Sequence, residues 1–137
     1  DCLNNNVKFR EWFRPFGVCV IRECVSDYFD FEKDSPYMLI APQTRELVQK
    51  QIPSAVHIDG SCRVQTVDIQ TNNKLYTLLC EFYRKSGVPM LINTSFNIKG
   101  EPIVETPEDA IKCFLNTKID CLVLDKFVIT KPQNHIV

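Results

Sequence analysis

Between Asn72 and Asn93 the chain changes its hydrophobic period within a few residues. Residues 74–86, KLYTLLCEFYRKS, place Leu75, Leu78, Leu79 and Phe82 on one helical face, with Asn72 and Asn73 as caps and Gly87 as the stop. Residues 88–93 follow at once as a short apolar run that ends in polar side chains, which reads as a buried strand. Such a junction commits the chain to a sheet with helices packed on it. The spacing predicts a second helix over 107–117. Thr106 is its N-cap, Pro107 its first position, Glu108 and Asp109 lie in its first turn, and Ala110, Ile111, Phe114 and Leu115 form its apolar stripe. A weaker third helix covers 43–51 and closes at Pro53.

Strands are predicted at 17–24, 38–41, 56–58, 62–67, 88–93, Cys121–Leu124 and 127–129. Asp59–Gly60 between 56–58 and 62–67 is a hairpin signal, because a two-residue type I′ turn needs positive φ at both central positions. Segment 25–37, VSDYFDFEKDSPY, is acidic and punctuated by proline, and reads as a surface loop. At 137 residues the length fits one domain, 1–137, with an α+β fold built on an open, twisted mixed sheet with packed helices. The start, Asp1–Cys2–Leu3, suggests a fragment of a longer chain.

Two stretches stand out chemically. In 7-VKFREWFRPF-16, read as a strand, the period of two puts Lys8, Arg10 and Arg14 on one face with Trp12 among them. Three cations on one face either gather around an anion or form a solvated edge with cation–π contacts to Trp12. In 91-LINTSFNIKG-100 the strand gives way to short hydrogen-bonding side chains. Asn93 and Ser95 share a face if the strand continues, either to hold a ligand or to brace an Asx-type turn. Arg63, in an otherwise apolar strand, favours an anion contact over a structural salt bridge, because a buried guanidinium without a partner is costly. His57, near the same turn, is either a general base or a satisfied structural residue. The residues alone thus point to an anion site assembled from Lys8, Arg14, Arg63, Asn93 and Ser95.

Other function classes are disfavoured. A net charge of −1 speaks against general affinity for nucleic acid or membranes, and no apolar run approaches the ~20 residues of a membrane helix. Seven cysteines without a Cys-x-x-Cys pair, and only two histidines, argue for reduced thiols in a cytoplasmic protein over a metal centre. No serine–histidine–aspartate arrangement, HExxH or GxxxxGK[ST] motif is present.

Three phrases together, KFREWFRPF, VHIDGSCRVQTV and GVPMLINTSFNIKGEPIVETPEDA, resemble the C-terminal region of the NodU/CmcH/TobZ family of O-carbamoyltransferases, over about residues 4–130. The resemblance implies a YrdC-like fold that binds ATP, with accompanying magnesium, and carbamoyl phosphate. It further implies formation of carbamoyl adenylate with release of pyrophosphate. A separate N-terminal metal-bearing domain would pass the carbamoyl group to an acceptor hydroxyl. By the same resemblance Lys8 and Arg14 bind phosphate and carbamoyl phosphate, Arg63 meets the nucleotide phosphates, and Asn93 and Ser95 hydrogen-bond the adenylate; Lys8, Arg14 and Arg63 are the expected catalytic residues. Two departures are visible: Gly17–Val18 follows FRPF where the family commonly has Ala–Pro, and Lys99 stands where arginine is common. The alternatives are a nucleotide-binding module without catalysis and an RNA-binding YrdC-like domain.

Overall fold

The computed structural model describes residues 3–9, 11 and 13–132, apart from the side chain of Leu47. It divides into two compact units, one of Pro15–Thr94 and one of Asp1–Arg14 with Ser95–Val137. The first is called the sheet unit and the second the hairpin unit.

The sheet unit is organised by strand β1, Gly17–Ile21, whose five residues are all buried. An unbroken apolar strand of this kind belongs at the centre of a sheet covered on both faces. It pairs in parallel with β2, Val64–Val67, and antiparallel with β3, Met90–Asn93, giving the mixed order β2–β1–β3. Alternation then assigns its side chains. Val18 and Val20 pack with Val25, Phe29, Ala55, Val64 and Met90, whereas Cys19 and Ile21 pack with Val67 and Leu79. The α+β expectation with a mixed sheet and packed helices is met.

A parallel pair needs a long crossover, and residues 22–63 supply it. They carry helix α1, Val25–Tyr28, and helix α2, Glu46–Gln49. The surface loop expected over 25–37 is therefore only partly a loop. Val25 and Phe29, four residues apart, are fully buried beneath an otherwise acidic segment, and Ser35 exchanges two hydrogen bonds with Thr66 of β2. The helix expected over 43–51 shortens to α2. The strand expected over 38–41 reduces to a single bridge between Ile40 and Val64. Nor do 56–58 and 62–67 form a hairpin ladder. Gly60 alone takes positive φ (81°), where a type I′ turn needs two such residues, and β2 spends its ladder on β1.

Helix α3, Asn73–Ser86, follows the sequence reading closely. The Asn72 side chain accepts from the Leu75 amide at 3.1 Å, and Gly87 (φ 74°) closes the C-terminus by donating to the Tyr83 carbonyl at 2.8 Å. Its buried face is Leu79 with Leu75, Tyr76 and Cys80, so Leu78 and Phe82 are turned further out than the expected stripe.

In the hairpin unit, helix α4, Pro107–Leu115, begins with a full capping box between Thr106 and Asp109. Ala110 and Phe114 join Leu122 in its core, with Phe96, Val104, Ile119, Leu124 and Ile129 against them. Cys113, not Ile111 or Leu115, completes the buried face of the helix. Strands β4, Cys121–Leu124, and β5, Phe127–Thr130, form an antiparallel hairpin whose turn uses Asp125 at φ 50°. The strand expected over 7–16 is absent from the described residues. Asn4–Lys8 is instead a π-helical turn that ends at Phe9 in the left-handed region (φ 49°), a conformation that breaks any continuing ladder. Arg10 and Trp12 lie outside the described residues.

Among the described residues no cysteine is in a disulfide; Cys19, Cys62 and Cys113 are buried and Cys121 is exposed. No helix of the described residues is long and apolar enough to cross a membrane. Burial pushes the Cys62 thiol up to about 11, against a smaller opposing effect of Arg63. At pH 8 its thiolate is then roughly a thousandth of the population. Alkylation of the folded chain, mapped by peptide mass, is expected to modify Cys121 well before Cys62, and Cys62 only on unfolding. Leu79→Ala is expected to lower stability by about 2–5 kcal/mol in a denaturant titration, as a cavity-forming change in a fully buried site.

Candidate functional site

Lys8 is the least expected feature of the site. It is only 6% exposed, at the end of the π-helical turn, and its ammonium is held by the NTSFN segment. The Nζ atom donates to the Ser95 carbonyl at 2.7 Å, the Asn97 carbonyl at 2.7 Å, Asn97 Oδ1 at 2.8 Å and Ser95 Oγ at 3.3 Å. An ammonium has three protons, so these four oxygens share them and fill its donor capacity. Ser95 Oγ also donates to Asn97 Oδ1 at 2.7 Å, and Asn97 Nδ2 donates to the Glu101 carbonyl at 2.9 Å. The alternation that sends Ser95 and Asn97 toward Lys8 sends Phe96 to the core cluster around Phe114. This is why the polar row is broken by one aromatic residue. The row holds a cation made by the chain itself.

The rim beside this cage carries further charge. A cavity of about 280 Å³ is lined by Lys8, Glu11, Arg14, Ser95 and residues 97–100. Lys99 sits on the turn Ile98–Glu101, closed by a 3.2 Å backbone bond and made possible by Gly100 at φ 84°. Its ammonium meets Glu11 at 3.2 Å, and Arg14 meets the same carboxylate at 3.7 Å. A hydrogen bond from its own backbone amide, then the Lys99 ammonium, hold the Glu11 carboxyl below the usual carboxylate range. Arg14 is also tied to the π-helical turn, since Asn4 Nδ2 donates to its carbonyl at 3.5 Å.

Within the sheet unit, Arg63 and Asn93 occupy one row across the strands. Asn93 pairs with Gly17, and the Val18 amide donates to the Arg63 carbonyl at 2.9 Å, so Gly17 lies between them. Asn93 Nδ2 donates to Gln65 Oε1 at 2.5 Å, a bond between the two strands that flank β1. A Cβ at Gly17 would stand 2.5 Å from Met38 Sδ and 3.1 Å from the Arg63 carbonyl. The Met38 thioether thus occupies the space that a side chain at position 17 would take. Arg63 itself is exposed.

His57 is engaged within its own turn. Its Nδ1 is 3.3 Å from Ser61 Oγ, while that hydroxyl donates to Asp59 Oδ1 at 2.7 Å and the Ser61 amide donates to the same oxygen at 3.0 Å. The Ser61 proton is directed to the carboxylate, which makes the trio a braced turn and not a nucleophile with its base. Among the described residues no group of three His, Cys, Asp or Glu side chains is placed to hold a metal ion.

Of the five residues singled out in the sequence, Lys8, Arg14 and Ser95 come together in the hairpin unit, and Arg63 and Asn93 in the sheet unit. Sequence reasoning left out Asn97, Glu11, Lys99 and Gln65. Asn97 follows Ser95 at the same period of two, and Glu11 precedes Arg14 by three residues; either spacing was sufficient to find it.

Comparison with known proteins identifies the family of the chain. The family described as Carbamoyltransferase C-terminus matches residues 1–131. An uncharacterised protein of Synechocystis is 42% identical over 97% of this chain and 25% of its own length. Nodulation protein NolO of Bradyrhizobium diazoefficiens is 37% identical over 96% of this chain and 24% of its own, and nodulation protein U of Rhizobium tropici is 38% identical over 80% and 19%. The chain belongs to the carbamoyltransferase C-terminus family, and it spans about a quarter or less of the length of these relatives.

Lys8→Met keeps the aliphatic stem and removes the ammonium. It is expected to cost about 1.5–3 kcal/mol in a denaturant titration, the scale of a hydrogen bond to a charged group, because the carbonyls of residues 95 and 97 lose their donor. A loss below about 0.5 kcal/mol would mean that the cage is not what holds this segment.

Proposed function

We propose that this chain is the adenylate-forming part of an O-carbamoyltransferase, binding ATP and carbamoyl phosphate and releasing pyrophosphate. The observation that carries the reading is the gathering of Lys8, Arg14 and Lys99 around one cavity beside the NTSFN segment, in a chain of the carbamoyltransferase C-terminus family. Arg63, exposed at the sheet row it shares with Asn93, is the residue for the nucleotide phosphates. Arg14 meets the phosphoryl group of carbamoyl phosphate, and Asn93 and Ser95 orient the adenylate. Lys8 acts differently from Arg14. With its donors filled by Ser95 and Asn97, it contributes a fixed positive field and the shape of the segment.

In this reading water cleaves carbamoyl phosphate to carbamate and phosphate. A carbamate oxygen then attacks the α-phosphorus of ATP, the new P–O bond forms, and the bond to the bridging oxygen breaks to release pyrophosphate. Charge neutralisation and alignment drive such a step more than any general base. Magnesium would enter with ATP, bound chiefly through phosphate oxygens and water. The carbamoyl group would then pass to a hydroxyl acceptor in a further, N-terminal domain, the remaining length of the relatives providing room for one. A cytoplasmic setting suits the reduced thiols and the substrates.

The test is release of pyrophosphate from magnesium ATP. It is expected only when carbamoyl phosphate is also present. Arg63→Ala is expected to weaken ATP about ten- to a hundredfold in calorimetry, as the loss of a hydrogen bond between charged groups. ATP binding without any pyrophosphate release would favour a nucleotide-binding module, and no ATP binding at all would sink the proposal.

A further inference from the structure

The cavity beside Lys8 already contains an anion of the chain's own. Glu11 sits against both cations of the rim, 3.2 Å from Lys99 and 3.7 Å from Arg14, while the floor beneath is fixed by the Lys8 cage. We propose that Glu11 is an internal competitor for the phosphoryl anion this cavity takes, and that Lys99, once freed from it, becomes an anion-binding residue beside Arg14. The proposal rests on the phosphoryl-binding reading above and adds to it a residue, Lys99, and a role, that of Glu11.

Three features support it. First, the cations and their competitor are far more exposed than the floor. Arg14, Glu11 and Lys99 side chains are 58%, 42% and 63% exposed, whereas Lys8 is buried and Asn97 is braced at both ends of its amide. The rim can exchange partners without disturbing the segment below it. Second, the pairing is weak enough to be replaced. Exposed ion pairs contribute little, and a phosphate offers more charge and more oxygens to the same two cations than one carboxylate does. Third, the turn bearing Lys99 is built to present it. Gly100 in the left-handed region turns the chain immediately after Lys99, the Asn97 amide bonds the Glu101 carbonyl, and a Cβ at Gly100 would meet nothing within 4 Å. Space is therefore open beside Gly100.

The Glu11 carboxylate remains ionised throughout the neutral range, since its hydrogen bonds and the Lys99 ammonium favour the charged form. Competition is therefore constant near pH 7, and release comes from the ligand's own charge. An occupied cavity would leave Glu11 displaced toward solvent, so ligand binding carries a fixed penalty that a neutral side chain at position 11 removes.

Inorganic pyrophosphate, titrated calorimetrically into the chain and its variants at low salt, tests this. Glu11→Gln is expected to bind about three- to fivefold tighter than the parent chain, and Lys99→Ala about as much weaker. In the double variant the gain from Glu11→Gln is expected to shrink, because it acts largely by freeing Lys99. Equal or weaker binding by Glu11→Gln, or an unchanged Lys99→Ala, overturns the proposal, as does an absence of binding in both the parent and Glu11→Gln. The two readings fail separately. Pyrophosphate release by the parent chain with no effect of Glu11→Gln removes this inference alone. The expected affinity pattern with no pyrophosphate formed from ATP and carbamoyl phosphate removes the adenylate-forming function alone.

Discussion

The hairpin unit depends on one buried ammonium. Lys8 and its acceptors on Ser95 and Asn97 are 87 and 89 residues apart in sequence, and nothing local makes them meet. Moving a lysine from water to a site this enclosed is unfavourable unless its protons are matched, and here carbonyl and side-chain oxygens match them. Once they do, the rest follows by short steps. Phe96 between the two acceptors is committed to the core cluster with Phe114 and Leu122, Asn97 braces the turn to Glu101, and Lys99 is set at its tip.

The sheet unit obeys a different constraint, the complete burial of β1. A five-residue strand with no exposed face must find a partner on each edge and a cover on each side. The partners are β2 and β3. The covers are the Val25–Phe29 cluster on one side and α3 on the other. Gly17 begins this strand between Arg63 and Asn93, with the Met38 side chain packed where its Cβ would stand.

What could be read in the sequence was whatever local physics decides. Helices α3 and α4 announce themselves by caps: Asn72 and Gly87 for one, Thr106 with Pro107 for the other. The apolar run of β3 and the hairpin of β4 and β5 are similarly self-specified. The misreadings share a cause, which is that a distant partner overrode a local pattern. Residues 7–16 alternate like a strand, yet Lys8 is claimed by oxygens beyond Thr94 and Phe9 turns left-handed. Residues 62–67 look like half of a hairpin with 56–58, yet β1 outbids that neighbour because it is buried on both faces. In segment 25–37 the acidic residues concealed the four-residue spacing of Val25 and Phe29. The residues around the cavity stood out in the sequence by type, as cations and short polar side chains. That Lys8 would meet Ser95, and that Glu11 would stand between Arg14 and Lys99, was not legible, because both are facts of tertiary placement.

The four oxygens around Lys8 include no carboxylate. The ammonium is buried among them and is screened less by dissolved ions than a charge standing in solvent. The rim charges of Glu11, Arg14 and Lys99 stand in solvent and are damped over a Debye length of about 8 Å at physiological salt. One small cavity thus combines a buried charge with exposed ones. The salt concentration of the surroundings therefore acts more on the pairs of the rim than on the caged ammonium beside them.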